Sequence, residues 1–387
     1  MSILLGILLT LLILLIVVMV HEFGHFITAR ITGMKVEEFG IGIPPKMTSI
    51  ATDKHGTEYT FNWLPIGGFV RILWENPWDI ESYNKWAFIT KPWISRVIVL
   101  IAGVAMNFLL AFLIYTGLFI YGISPMTIIP MENMQSRILP SAHEAIESGF
   151  LTHSGIIITP LSGSVASRVW LKDWDQIAFI NGIVPQLTQD IIDIIKKNKE
   201  IELQIVWKDK PIKISPIDGK IGVTIQYKNI NFNSNKIIKF GWQDAVLAWS
   251  QETIATTKIT FAFLTRMIGW IFTPKTEKEH EEAKNMLSGP IWLGWTFVSI
   301  VEKNVPLTIV LIMVALLSIN LWVVNIIPFP ALDWWRIVTT TLYSIFSYLP
   351  KWKKYFSKFE WGLHAIGFLV LIMVMLYVSG LDILRFF

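Results

Sequence analysis

Near the start of the chain His21, Glu22 and His25 stand in the order His-Glu-Phe-Gly-His. On a helix this spacing puts two imidazoles one turn apart on one face, where both reach a single zinc ion. Glu22, beside the first imidazole, is placed to act as a base on water that the metal has made more acidic. The chain has no cysteine, so a thiolate site is excluded and any zinc must be held by His and carboxylate. A catalytic zinc takes three protein ligands and keeps one position open, and Asp333 is the candidate third ligand. It ends the segment Asn325-Ile-Ile-Pro-Phe-Pro-Ala-Leu-Asp333, whose two prolines break a helix and leave carbonyls and a carboxylate free inside the protein. From this segment alone, a kinked helix end capped by Asp333 is the competing reading. The residues do not separate zinc from another divalent ion.

The elements that must position these side chains read as membrane helices. Of 387 residues, 53% are hydrophobic and the mean hydropathy is +0.52, which puts the chain in the membrane class. Residues Ile3 to Val20 carry no charge and run straight into His21 without a small-residue cleavage site, so they read as a first span and not a signal peptide. Two histidines and a carboxylate at the end of such a span cost several kcal/mol unless partnered, about what a bound cation would offset. Further spans are expected at Val97 to Tyr121, with Asn107 inside it, at Leu307 to Ile327 and at Gly362 to Ser379.

Between the first two spans, short strands such as Lys35 to Gly42 and Glu58 to Phe61 are punctuated by Pro44-Pro45 and Gly67-Gly68. The expected organisation is a membrane core in two parts, 1–127 and 305–387. Between them lie a soluble α+β domain at 128–228 and a segment at 229–304 that lies amphipathically on the membrane surface and ends in a charged linker. The net charge of +4 comes from scattered basic residues, a topology signal and not a nucleic-acid footprint. Eight Lys and Arg between Arg30 and Arg96, and five between Arg336 and Lys358, place both of those loops in the cytoplasm. The termini and the soluble domain then lie on the other side.

The pairing of HEFGH in the first span with NIIPFPALD much later resembles the site-2 protease family, especially its bacterial regulator-of-sigma-E protease branch. The likeness runs over nearly the whole chain, through Asn62 to Arg71 (NWLPIGGFVR), Gly103 with Met106-Asn107, the 160–185 region and Leu287-Ser288-Gly289-Pro290. It implies a polytopic α-helical membrane protein of about four spans with a membrane-associated β-hairpin and one inserted PDZ domain, in the inner membrane of a bacterium. By that resemblance His21, His25 and Asp333 bind Zn2+ near the cytoplasmic side, Glu22 is the general base, and the PDZ domain is extracytoplasmic. Asn325 matches an asparagine whose implied role is to hold substrate or transition state; on physics alone it is equally a helix-packing residue. Gly67, Gly68 and Phe69 lie in the hairpin that would pair with extended substrate as an added strand, or form a plain hairpin.

The chain departs from the family at particular glycines. Leu-Asp-Gly-Gly becomes Leu332-Asp333-Trp334-Trp335, and tryptophan also stands where glycine is expected at Trp74, Trp170, Trp174, Trp292 and Trp322. The whole chain has 18 Trp against 24 Gly. Our reading is that many of these are glycines in the cell, encoded by UGA in a bacterium that reads UGA as glycine; true divergence of the site is the alternative. Trp174 falls where a turn would strain any side chain.

Three functions compete. The first is an intramembrane metalloendopeptidase that cuts single-span membrane proteins in the bilayer, of the anti-sigma-factor or signal-peptide type, after another protease, a possible upstream site-1 protease, has shortened them. The second is a proteolytically inactive zinc-binding scaffold that recognises protein tails through the PDZ domain; it would not need Glu22. The third, a metal transporter, would put ionisable residues at mid-span in several helices, and the second and fourth spans carry no charge there.

Overall fold

The computed structural model describes residues 2–73, 84–126, 135–169, 171–233, 236–272, 289–303, 305–346 and 350–386. Trp74 and Trp170 lie outside these ranges. The chain divides into two compact units, one made of residues 1–121 and 240–387 and the other of 122–239.

The first unit begins with α1 (Ser2–Ile31). This helix does not stop at the histidines: with no breaker in the way it continues to Ile31, so HEFGH lies within it, ten residues or less from its end. Gly33, at φ +71°, then closes it, with the Met34 amide donating to Ala29 O at 2.8 Å, the glycine-capped ending expected of a helix C-terminus. The strands β1 (Val36–Thr52) and β2 (Glu58–Ile72) follow. They are longer than the sequence suggested and fold back on themselves: residues 36–41 pair with 68–72 on one side, residues 38–41 pair with 58–61 on the other, and residues 46–52 pair with the far side of 58–62. The run 68–72 is therefore an outer edge among the described residues. Next comes α2 (Trp93–Tyr121). Phe26 and Ala29 of α1, Phe39 and Ile72 of the sheet, and Val99 and Leu100 of α2 share one buried cluster, which seats the strands on the helix pair.

In the second unit the strands β3 (Leu151–Thr152) to β9 (Asn231–Phe232) are interleaved with short helices. Helix α3 (Ala142–Glu147) precedes them and opens on a Ser141–Glu144 capping box. Then come β4 (Gly155–Pro160), α4 (Val165–Arg168), β5 (Asp175–Ile180), α5 (Thr188–Lys197), β6 (Ile201–Ile205), β7 (Ile212–Ile214) and β8 (Val223–Lys228). Five of the strands form an antiparallel sheet in the order β7-β6-β5-β4-β8. Its core is mostly isoleucine, with Ile158, Ile177, Ile180, Ile205 and Ile191 of α5 among the buried residues.

The first unit resumes with α6 (Trp242–Phe272), α7 (Pro290–Glu302), α8 (Leu307–Ile326), α9 (Asp333–Phe346) and α10 (Pro350–Phe386). Where the sequence suggested a helix on the membrane surface, α6 packs along α2 and α8. Ala245, Ala248, Glu252, Ala255 and Thr256 are buried, and Thr260 Oγ1 donates to Asn320 Oδ1 at 2.7 Å. A stripe of small and hydroxyl side chains lets helices approach closely. Among the described residues four helices are long and apolar enough to cross a membrane: α1, α2, α8 and Gly362–Arg385 of α10. This is a multi-pass membrane protein.

Candidate metal centre

Two elements bring the three predicted ligands together. His21 and His25 lie one turn apart on α1, and their Nε2 atoms are 3.1 Å from each other. Asp333 is the first residue of α9, and its Oδ2 lies 2.9 Å from His21 Nε2 and 3.8 Å from His25 Nε2. The ligand atoms of the three residues all fall within 4.8 Å of one another.

The approach to Asp333 is set by the prolines. α8 ends at Ile326, Pro328 and Pro330 forbid its continuation, and Ala331 takes φ +84° before the chain re-enters a helix with Asp333 in its first turn. Gly367 of α10 braces this turn: a Cβ there would lie 2.3 Å from Pro330 O.

Second contacts orient the imidazoles. His25 Nδ1 is 2.8 Å from Val99 O, an acceptor, so it carries the proton and Nε2 is left with its lone pair. His21 Nδ1 is 3.1 Å from the side-chain amide of Asn107, which is fully buried. Gly103, between Val99 and Asn107 on α2, leaves the space the rings occupy: a Cβ there would lie 2.3 Å from His25 Nε2 and 2.8 Å from His21 Nε2. Asp333 Oδ2 is buried against these two Nε2 atoms and, with both of them bare, has no proton to accept. Lone-pair atoms gathered this closely in a buried place repel unless a cation sits among them. Two imidazoles and one carboxylate, with no thiolate, are a donor set that zinc accepts.

Beside these residues is a cavity of about 190 Å³ lined by Glu22, His25, Phe69, Val70, Ile72, Leu100, Asp333 and Arg336. The edge run of β2 thus forms one wall and α1 another. They meet at Gly68, where a Cβ would lie 2.5 Å from Met19 Sδ and 3.9 Å from Glu22 Cγ. Gly67, at φ +79°, turns the strand into that position. Phe69 is in the lining; Gly67 and Gly68 set the backbone that carries it. Asn325 is 9% exposed near the end of α8 and is not part of this lining.

Sequence reasoning did not single out Arg336, Leu100 or Val99 for the site. Gly103 and Asn107 stood out only as part of a resemblance and as a polar residue within a span. The available signal was their spacing, since 99, 103 and 107 fall four apart on one helical face.

At the hairpin turn outside the spans, Arg30 at the end of α1 pairs with Asp53. Burial pushes the Asp53 carboxyl up, but the Arg30 guanidinium and the Thr57 and His55 amides outweigh it and hold the pKa down at about 2.

The tryptophans at expected glycine positions differ among themselves. Trp174 takes φ +71° and is 67% exposed, so there the backbone itself calls for glycine. Trp334 and Trp335 are helical in the first turn of α9 and do not line the cavity. Trp335 Nε1 is, however, buried without a partner. Trp322 packs on Phe108, with ring centroids 5.4 Å apart. Trp292 is 43% exposed on α7.

Comparison with known proteins adds a family. The description Peptidase family M50 matches residues 9–374. A zinc metalloprotease by name from Fusobacterium nucleatum is 29% identical over 382 residues, covering 96% of each chain. Another from Clostridium perfringens is 27% identical over 375 residues, covering 95% of each. The regulator of sigma-E protease of Escherichia coli is 25% identical over 401 residues, covering 82% of this chain and 86% of its own.

Proposed function

Because the chain belongs to peptidase family M50, a zinc metalloendopeptidase in a multi-pass membrane protein, we propose that it cleaves single-span membrane proteins within or beside the bilayer, with His21, His25 and Asp333 as its zinc ligands. The observation that carries this is the convergence of His21 Nε2, His25 Nε2 and Asp333 Oδ2 within 4.8 Å beside a cavity that Glu22 also lines. When bound, zinc supplies Lewis acidity to water and to the scissile carbonyl. Glu22 takes a proton from the attacking water on its carboxylate and returns it to the departing amide nitrogen. The edge run 68–72 holds the substrate: a peptide bond must be extended to be cut, and an open edge beside Glu22 offers backbone partners to an unwound segment. Asn325, near the break between α8 and α9, contributes to holding the substrate.

The second unit is read as a PDZ domain, supported by its five-stranded antiparallel sheet and by α5 beside the edge strand β8. The basic residues around β1 and β2 support a reading in which the metal centre lies toward the cytoplasm of a bacterial inner membrane and the second unit is extracytoplasmic. A gate there admits stems already shortened by an upstream protease. The name of the Escherichia coli relative, regulator of sigma-E protease, favours anti-sigma-factor substrates; signal-peptide remnants are the other class. We further read Trp74, Trp170, Trp174, Trp292, Trp322, Trp334 and Trp335 as glycines in the native protein.

The test is cleavage of a model single-span substrate in liposomes by the literal sequence and by a Trp334→Gly, Trp335→Gly form, each with and without Glu22→Gln. We expect cutting that needs Glu22 and is lost to a chelator, falling by about 10²–10⁴-fold without the base. Absence of cutting by every form, with zinc bound, would replace the protease with the tail-binding scaffold. A UGG codon at 334 and 335 would sink the recoding.

A further inference from the structure

α2 presents one face to both candidate ligands. Val99, Gly103 and Asn107 are spaced four apart and stack on that face. The carbonyl of Val99 holds His25 Nδ1 at 2.8 Å, Gly103 leaves room for both Nε2 atoms, and the Asn107 amide lies 3.1 Å from His21 Nδ1. Asn107 is 0% exposed.

The oxygen and nitrogen of an amide are told apart only by their hydrogen bonds. With Nδ2 toward the ring, His21 Nδ1 must accept, and its proton moves to Nε2, the atom 2.9 Å from Asp333 Oδ2. That proton would occupy the place a metal needs. With Oδ1 toward the ring, Nδ1–H donates and Nε2 is bare. The outer amide atom has no partner as placed, and turning the amide puts the other atom in the same spot, so the amide's own needs do not choose between the two. The ring does.

Resting on the metalloprotease reading, we propose that Asn107 is a positioning residue for His21: its Oδ1 accepts the Nδ1–H bond, fixing the tautomer and ring plane in which Nε2 faces the metal. It does for His21 what the Val99 carbonyl does for His25. Loss of such an outer partner typically lowers metal affinity about 10–100-fold. A packing asparagine would leave metal affinity untouched.

The test measures the zinc dissociation constant of the purified full-length chain in detergent by competition with a chromophoric chelator, together with the absorption spectrum of the Co2+-loaded form. The variants are Asn107→Leu, similar in size with no acceptor, and Asn107→Asp, which can only accept. The Leu variant should bind zinc about 10–100-fold more weakly than wild type while melting like wild type in EDTA. The Asp variant should hold zinc within a few-fold and shift the Co2+ bands, because a carboxylate makes His21 a stronger donor. Wild-type zinc affinity in the Leu variant overturns the role. Should the Leu variant not fold, the Asp variant decides: a drop of about tenfold or more, or unshifted bands, overturns it. A wild-type chain that binds no zinc would bring down the metal centre itself, which is a different result from an indifferent Leu variant on a zinc-binding wild type.

Discussion

Replacing Gly103 with alanine adds one methyl group where the two histidines stand. Its Cβ would lie 2.3 Å from His25 Nε2, 2.7 Å from His25 Cε1 and 2.8 Å from His21 Nε2. Ordinary contact begins near 3.4 Å, so the His25 ring must retreat by roughly 1 Å. It cannot do so freely, because its other nitrogen is held at 2.8 Å by Val99 O. Metal–ligand distances tolerate only about ±0.2 Å, and a displacement of about 1 Å at a reacting centre costs on the order of 10²-fold in rate, or about 2.7 kcal/mol. We therefore expect Gly103→Ala to lose tightly bound zinc and at least about 100-fold of cleavage. Zinc content after dialysis against a weak chelator, read beside cleavage of a single-span substrate, measures both. The control is Gly117→Ala on the same helix, where an added Cβ meets nothing within 4 Å; it should bind zinc and cut like wild type. If Gly103→Ala retains full zinc and full activity, the placement of the imidazoles against α2 is wrong.

Gly68→Val should keep its zinc, since no proposed ligand is touched, yet cut about tenfold or more slowly, because the added side chain pushes the edge strand from Met19, 2.5 Å from the new Cβ; unchanged kcat/KM would count against the strand as substrate wall. Trp174→Gly should raise the Tm of the full chain, worth about 1 kcal/mol from relief of the left-handed conformation, and a lower Tm would argue that the indole belongs there. At the hairpin turn, the Asp53 pKa is lowered from 3.8 to about 2, so its stabilisation is complete above about pH 4 and fades as pH falls toward 2. Hydrogen exchange at the His55 and Thr57 amides, which donate to Asp53 Oδ1, should accelerate through that window, corrected for the intrinsic rate, and Asp53→Asn should remove the dependence.

Much of the candidate centre was legible in the chain because its chemistry is local. Two imidazoles at helical spacing are one motif, and a proline-broken apolar run ending in Asp333 carries its own signature. Length and hydropathy were enough to mark four stretches as spans. Other features depended on neighbours distant in sequence. Whether α1 ends at His21 or runs on to Ile31 depends on the capping glycine and on the sheet packed against it. The fold-back of β1 and β2, which turns residues 68–72 into an edge beside Glu22, comes from long-range pairing that no alternation pattern specifies. The burial of Glu252 on α6 is likewise invisible to a helical wheel, because the covering faces belong to α2 and α8.

The sequence by itself determined which groups are available: two histidines, a glutamate and an aspartate, no thiol, and apolar runs that exclude water from around them. The tertiary structure alone decided their geometry. Residue 333 must be carried back to residues 21 and 25, and α2 must offer Val99, Gly103 and Asn107 on the same face. The reason is physical: residue type and helical period fix chemistry and direction within one element, whereas a metal site needs atoms from separate elements placed to a fraction of an ångström, and packing alone sets that.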